Sequence, residues 1–251
     1  MSHRRKVQAA RAIALVVGLA FLELGPRLGW VDRLTLVPLS EVLRSLHAQL
    51  VQGKLTEHLG ASAVTVVTAF GLAVLTGVPA GLLLWRLPKV RALLEPYLAS
   101  YYAVPVFALY PLLISLLGMG YLPIVAIAWG WSVVAVVVNT AVGFTQVRPV
   151  YRKLAVTLRL TPWQTFRHIL FPAAAPYVFN GIKLAVTYSV IGVIASEFIL
   201  APRGLGWLIS YHYNNFSLRE MYAALALVLV LATGIYTAVG RAERAVRRRA
   251  G

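Results

Sequence analysis

Five histidines (His3, His47, His58, His168 and His212), eight carboxylates and no cysteine are the stock from which this 251-residue chain would build proton-transfer, nucleophilic or metal chemistry. The histidines are scattered, and no carboxylate pair or nucleophile elbow accompanies them. Without cysteine there is no disulfide, thiolate metal site or cysteine nucleophile. No catalytic residue, metal site or enzyme activity is therefore expected. Three ionisable residues stand out by placement: Glu23, Lys183 and Glu197 lie in or at the end of long apolar stretches. Such residues are candidates for a solute or ion pathway, and each also has a plainer role. Glu23 can face water at the end of its stretch. Lys183 can extend its ammonium to the nearer membrane surface. Glu197 can bond the backbone of a turn at Gly204–Gly206 or line an outer gate.

The elements that would position these groups are membrane spans. Hydrophobic residues make up 59% of the chain and the mean hydropathy is +0.75, against about 45–50% apolar in soluble domains. The 52 residues from Pro96 to Val147 carry no Asp, Glu, Lys or Arg. A crossing needs about 20 apolar residues, so this run holds two, turning at Gly118-Met119-Gly120-Tyr121-Leu122-Pro123. Six spans are expected: 12–29, 61–85, 97–117, 122–144, 176–198 and 221–240. The first has a basic, apolar start like a signal peptide but no small-residue cleavage site, and reads as an uncleaved span. Six spans put both termini on one side. With the tails and the loops 86–95 and 145–175 on that side, it holds 17 Lys and Arg against 6 on the other, which makes it cytoplasmic. The net charge of +16 is thereby explained without nucleic acid. Outside, 36–60 has helical apolar spacing at Leu39, Val42, Leu43, Leu46 and Leu50, with Ser40 as a potential cap. It reads as an amphipathic helix on the membrane surface or against neighbouring spans. The expected division is 1–57 (tail, first span, external segment), 58–240 (a core of five spans with cytoplasmic loop 148–175) and 241–251 (a basic tail).

Loop 148–175 carries its own pattern. A short helix at about 150–158 is expected, then a break. A second helix starts with Thr161 as N-cap and Pro162 at the first helical position and stops at Pro172. It presents Trp163, Phe166 and Arg167. An aromatic pair there suits a groove on a partner or an anchor at the membrane interface.

The run Lys153-Leu154-Ala155, then Arg159, then Ile169-Leu170-Phe171-Pro172 resembles the EAA loop of ABC-importer permeases, whose pattern is E-A-A, three residues, Gly, nine residues, I-x-L-P. Ala155, Ile169 and Pro172 match at the family spacing. Lys153, Leu154, Arg159 and Phe171 depart from it. Arg159 replaces a glycine whose backbone usually has positive φ, so it adopts other torsions or bears strain of about 1 kcal/mol or more. Further segments are similar to the nitrate, sulfonate and taurine branch: Pro105-Val-Phe-Ala-Leu-Tyr-Pro111-Leu-Leu-Ile with Gly118, Asn139-Thr140, and Glu197-Phe198 followed by Gly204-Leu-Gly206-Trp-Leu-Ile209. The similarity spans about 58 to 240.

The resemblance implies an all-α polytopic membrane protein with the type I ABC-importer permease fold, in the bacterial cytoplasmic (inner) membrane. It implies a second copy of the chain, two ATPase subunits that use ATP and Mg on the cytoplasmic face, and an external or periplasmic solute-binding protein. Coupling would run through 153–172, with Ala155, Leu158, Arg159, Thr161, Pro162, Trp163, Gln164, Phe166, Arg167, Ile169 and Pro172 as the contact and hinge residues. The chain has no G-x-x-x-x-G-K-[ST] loop to cradle phosphates, so it binds no cofactor of its own. The pathway or gate is expected along Ser100, Tyr101, Ser115, Asn139, Thr140, Thr187, Tyr188, Ser189, Ser196 and Glu197, although polar residues in spans also join helices. The branch implies small solutes, often anionic (nitrate, taurine, other sulfonates) or vitamin precursors. A weakly polar pathway with tyrosines suits an aromatic or heterocyclic solute. The alternatives are an ion-coupled secondary transporter, which would want an inverted repeat, and a membrane-embedded enzyme.

Overall fold

A computed structural model describes the backbone of residues 3–32, 35–53 and 55–250, and the side chains of these except 3–6, 200 and 242–250. The charges assigned to Arg33, Lys54, Arg4, Arg5, Lys6, Arg244 and Arg247 to Arg249 lie outside the described residues. The described residues form helices: α1 (His3–Arg27), α2 (Leu39–Val51), α3 (Thr56–Arg86), α4 (Pro88–Ser100), α5 (Tyr110–Leu117), α6 (Tyr121–Thr145), α7 (Pro149–Thr157), α8 (Pro162–Thr165), α9 (Phe171–Leu200), α10 (Leu205–Asn214) and α11 (Leu218–Ala250). Among the described residues, five stretches are long and apolar enough to cross a bilayer: Val7–Arg27, Thr56–Arg86, Tyr121–Thr145, Pro162–Ile199 and Leu218–Arg241.

The third expected span is not one helix. Pro88–Ala103 and Val106–Leu117 meet at 87°. The cause is Pro105. It lacks an amide proton and forces its predecessor out of the helical region, and Val104 is extended with ψ 126°. The broken pair still crosses, as the helices around it require. A Cβ on Gly77 would lie 2.7 Å from Val136, and one on Gly81 would lie 2.6 Å from Thr140. The residue numbers rise together, so α3 and α6 are parallel, and the chain between them must return across the membrane. It turns back at Gly118 (φ 77°) and Gly120 (φ 146°), where the sequence placed the turn. Counted this way there are six spans among the described residues.

Helix α6 is the centre of the bundle. It lies parallel to α3 and antiparallel to α9, where Gly181 meets Asn139 and Gly192 meets Ala128. At each of these glycines a Cβ would fall within 3.0 Å of the facing helix. Helices in lipid associate through such close packing, because hydrocarbon tails supply no hydrophobic drive. Helix α10 packs on α9 and α11 through Leu205, Leu208, Ile209, Ala224 and Leu227. The external amphipathic helix is α2, which lies against α11 with an Arg219–Glu41 ion pair of 2.9 Å.

Ser40 does not cap α2. Pro38 holds that position, and the amide and hydroxyl of Ser40 both donate to Glu23, each at 2.9 Å. Arg27 adds a 2.6 Å ion pair to the same carboxylate. Glu23 therefore ties α1 to the first turn of α2. Otherwise α1 stands apart, with none of its most apolar window buried.

The expected stop at Pro172 is also absent. A π-helical turn over Phe166–Leu170 joins α8 to α9, and Phe171 donates to the Phe166 carbonyl. The wider turn accommodates the proline, which would clash with an ordinary preceding turn, so the helix runs on into the fifth span.

Bulk at the α6 contacts should separate the helices. Gly81→Leu and Gly192→Leu are each expected to cost about 1–3 kcal/mol. Thermal unfolding of the detergent-extracted protein checks this, with Gly71→Leu, where a Cβ meets nothing within 4 Å, as the unaffected control.

Candidate functional site

The loop after α6 is an elbow built from local rules. Pro149 starts α7 at its first position. The helix ends in a double hydrogen bond, Arg159 N–H to Val156 O and Leu160 N–H to Ala155 O, both 3.0 Å. This Schellman closure needs a left-handed residue at its centre. Arg159 occupies it with φ 50°, so the arginine takes the glycine conformation and bears its strain. Thr161 then caps α8 reciprocally: its Oγ1 accepts from the Gln164 amide at 3.3 Å, and its own amide donates to Gln164 Oε1 at 2.9 Å.

Of the aromatics expected to be presented, Trp163 is 65% exposed, but Phe166 is folded inward. Its ring stacks on Phe144 at 5.7 Å and 3° and on Trp163 at 5.8 Å and 20°. It packs against a buried cluster that includes Val147, Leu170 and Ala174. The outward surface of the elbow thus includes Leu158, Arg159, Thr161, Pro162, Trp163, Gln164 and Arg167. Ala155 and Leu170 are buried beneath it, Ile169 is half-buried, and Pro172 is exposed on the emerging α9. Beside Trp163 a depression of about 470 Å³ runs to the end of α3, lined by Pro79, Leu82, Leu83, Trp85 and Arg86.

The exposed faces of the bundle divide by polarity. The outward side chains of α3 (Val64, Val67, Leu75, Leu83) and α11 (Leu225, Leu229, Val230) are apolar and suit lipid. One face formed by α4, α6, α9 and the residues just after α4 and α6 instead carries Arg91, Tyr102, Asn139, Gln146, Tyr177 and Asn180. Asn180 donates to Asn139 Oδ1 at 2.9 Å, Tyr177 donates to Gln146, and Arg91 donates to Thr145. Polar groups on spans face water or protein rather than lipid, so this face is the candidate pathway.

The expected pathway residues separate accordingly. Asn139 and Tyr188 line a cavity on that face, and Tyr101 lies beside it, edge-on to Tyr102 at 5.9 Å. Thr187 is half-buried and donates back to the Lys183 carbonyl. Ser100 and Ser115 are exposed, the latter bonded within its own helix. Thr140, Ser189 and Ser196 are fully buried. Thr140 packs where Gly81 approaches, and Ser189 bonds Ser132 at 2.8 Å. Lys183 has its ammonium 4.4 Å from the Tyr236 ring centroid on α11. Sequence reasoning passed over Tyr102, Gln146, Tyr177 and Asn180. For Gln146, Tyr177 and Asn180 the usable signal is a polar side chain at helical spacing from Asn139 or Tyr188, whereas Tyr102 sits on a separate turn and adjoins only Tyr101 in sequence.

Glu197 is a buried joint. It is 2% exposed, receives the Ser62 hydroxyl at 2.7 Å to Oε2, and receives the Gly206 amide at 3.0 Å. Ser62 in turn accepts from the Leu205 amide at 2.8 Å. One carboxylate thus fastens α3, α9 and the start of α10. Of its two expected roles, the geometry places the first, the bond to the glycine turn. Gly204, at φ 116°, lies so close that a Cβ would collide with the carboxylate. Its amide donates to His58 Nδ1 at 3.3 Å, and the His58 ring stacks on Trp207 at 5.0 Å.

Among the described residues the chain is an all-helical bundle with one polar face and an exposed aromatic elbow, the architecture a membrane transport subunit requires. Residues 73–250 match the family described as binding-protein-dependent transport system inner membrane component, and the chain belongs to it. It is similar to the nitrate import permease protein NrtB of Synechocystis sp., 29% identical over 168 residues covering 67% of this chain and 61% of that protein. It is also similar to the taurine transport system permease protein TauC of Escherichia coli, 26% identical over 178 residues covering 71% and 65%. The matches therefore span under two thirds of those relatives' own length. The fold is that of a chain of the inward-facing MetNI methionine ABC transporter, with TM-score 0.67, 17% identity and coverage of 76% and 95%. The resemblance to type I importer permeases of the nitrate, sulfonate and taurine branch is borne out.

Two substitutions report on these joints. Arg159→Gly should raise stability by about 1 kcal/mol, since only the left-handed strain is removed. Gly204→Ala should lower it by at least about 1–3 kcal/mol through the collision with Glu197. Melting of both variants in the same detergent gives the opposite signs.

Proposed function

We propose that the chain is the membrane-spanning subunit of an ATP-driven importer in the bacterial cytoplasmic membrane. The observation that carries the reading is the elbow. An exposed tryptophan sits on a reciprocally capped turn that continues without a break into a membrane span. A push on Trp163 from a partner would pass along α8 and the π turn into α9, which lines the pathway face. Two ATPase subunits that bind ATP and Mg would supply the push. The depression between Trp163 and α3 would seat their contact, with Arg159 and Arg167 flanking it. A second copy of the chain would complete the pathway, and an external binding protein would select and deliver a small solute. The core 58–240 would carry these functions, with 1–57 attached through Glu23 and Ser40.

Co-purification with the products of neighbouring genes tests the proposal. A P-loop ATPase should be recovered in stoichiometric amount. Trp163→Ala should weaken its binding by about 2 kcal/mol or more or leave hydrolysis running without transport, while the chain stays folded. Phe166→Ala, by contrast, should also lower stability, by about 2–4 kcal/mol given its inward packing. Wild-type transport by Trp163→Ala would remove the elbow from the coupling. A chain purified alone that moves solute without ATP would make it an ion-coupled carrier instead.

A further inference from the structure

The cytoplasmic side of the chain is charged almost entirely in one sense. Of the eight carboxylates, Glu95 and Glu243 alone fall on that side, against 17 Lys and Arg. Glu95 belongs to the cavity on the pathway face, which Arg91 also lines. Between Glu95 and Glu197 there is no acid, so the elbow and its approach carry Arg148, Arg152, Lys153, Arg159 and Arg167 with no counter-charge in their own sequence. All five are exposed. Topology accounts for basic residues in a cytoplasmic loop but is nearly indifferent to acidic ones. It does not explain why the elbow has none.

It explains Arg159 least of all. This residue sits at the left-handed centre of the α7 closure with φ 50°, where glycine would be free of strain. Strain of this kind marks a contact or a switch. The surroundings form a matching surface. In the depression beside Trp163, Pro79, Leu82, Leu83 and Trp85 are apolar, and Arg86 is the one ionisable lining residue among those described. The Arg152 guanidinium lies 6.0 Å from the Trp85 ring centroid. Cations from α3 and α7 thus border an apolar, ring-lined depression, and Arg159 and Arg167 share the outward surface of Trp163.

We propose, resting on the importer reading above, that the elbow is matched to its ATPase by charge. The ATPase surface sets an apolar side chain between carboxylates. The apolar group enters the depression against Trp163, and the carboxylates meet Lys153, Arg159 and Arg167. Lys153 and Arg159 stand where the family loop has Glu and Gly, so an ATPase whose groove is basic is repelled here. The contact offsets the strain that Arg159 bears. Anionic headgroups attract any nearby Lys or Arg and need none at a strained torsion, so a shaped protein surface is the occupant the geometry favours.

The test uses the full chain in nanodiscs of phosphatidylcholine, which has no net charge, titrated with the ATPase recovered by co-purification. Affinity should fall as salt rises from about 0.05 to about 0.5 M. Arg159→Gly, expected above to be the more stable protein, should bind the ATPase about 10-fold or more weakly, the value of one charge-assisted hydrogen bond. Its stability excludes misfolding as the cause. Lys89→Gln, which removes a cation from the same side but outside the elbow, should bind as wild type. A carbodiimide joins a carboxylate to an amine only at contact distance, and mass spectrometry should map such a link from Lys153 to the ATPase. Lys153→Arg should keep the affinity and lose the link. Unchanged affinity in Arg159→Gly, or no link from Lys153, would overturn the inference and leave the importer reading standing. So would an effect of Arg159→Gly seen only with phosphatidylglycerol in the disc, which would make the arginine a lipid contact. Failure to recover any ATPase sinks the importer reading itself, and this inference with it.

Discussion

The approach of α3 and α9 to the backbone of α6 is the constraint on which the rest of the molecule hangs. In hydrocarbon, apolar side chains gain little by leaving lipid for protein, so the helices are held by dispersion at short range and by buried polar bonds. Glycines 77 and 81 on one side and 181 and 192 on the other permit that range. The resulting three-helix slab fixes the direction of everything attached. Because α3 and α6 are parallel, the Pro105-broken segment must cross between them. Because α9 is antiparallel to α6, the elbow and the Glu197 joint fall at opposite ends of the same helix.

Those two ends are built differently. At the outer end, Glu197 is fully enclosed and meets hydroxyl and amide donors from two other elements. A buried carboxylate is tolerable only when bonded in this way, and removing any donor would leave it exposed to that cost. This end is a clamp between α3, α9 and α10. At the elbow end, α8 is four residues long and tied to α9 by a π turn. The ring stack Phe144–Phe166–Trp163 joins it to α6. Here the outermost ring is exposed while the innermost belongs to the core, so a load applied at the surface would reach the slab through packed side chains.

The polar face between these ends carries amides and tyrosines in place of a charge relay. Its charged pair sits at the elbow end, and its rings sit toward the clamp.

The sequence by itself determined the number and order of the spans, the basic side, the hairpin at Gly118–Pro123 and the Thr161–Pro162 cap. These follow from hydropathy, charge and backbone rules that act within a few residues. It also yielded the family spacing of the elbow. Only the tertiary structure decided the rest. The third span breaks at Pro105, a residue whose effect depends on whether neighbouring helices can hold the two halves. Pro172 fails to stop its helix because a π turn absorbs the ring. Phe166 turns inward because Phe144, 22 residues earlier in the chain, presents a parallel face. Ser40 serves Glu23 rather than its own helix. Thr140, Ser189 and Ser196 are buried polar groups of the bundle, while Asn180 and Tyr102 reach the cavity face. Which side of a uniformly apolar helix meets a partner is written in no hydrophobic pattern. It is settled by where glycines let backbones meet, and that is a property of pairs of helices rather than of either one alone.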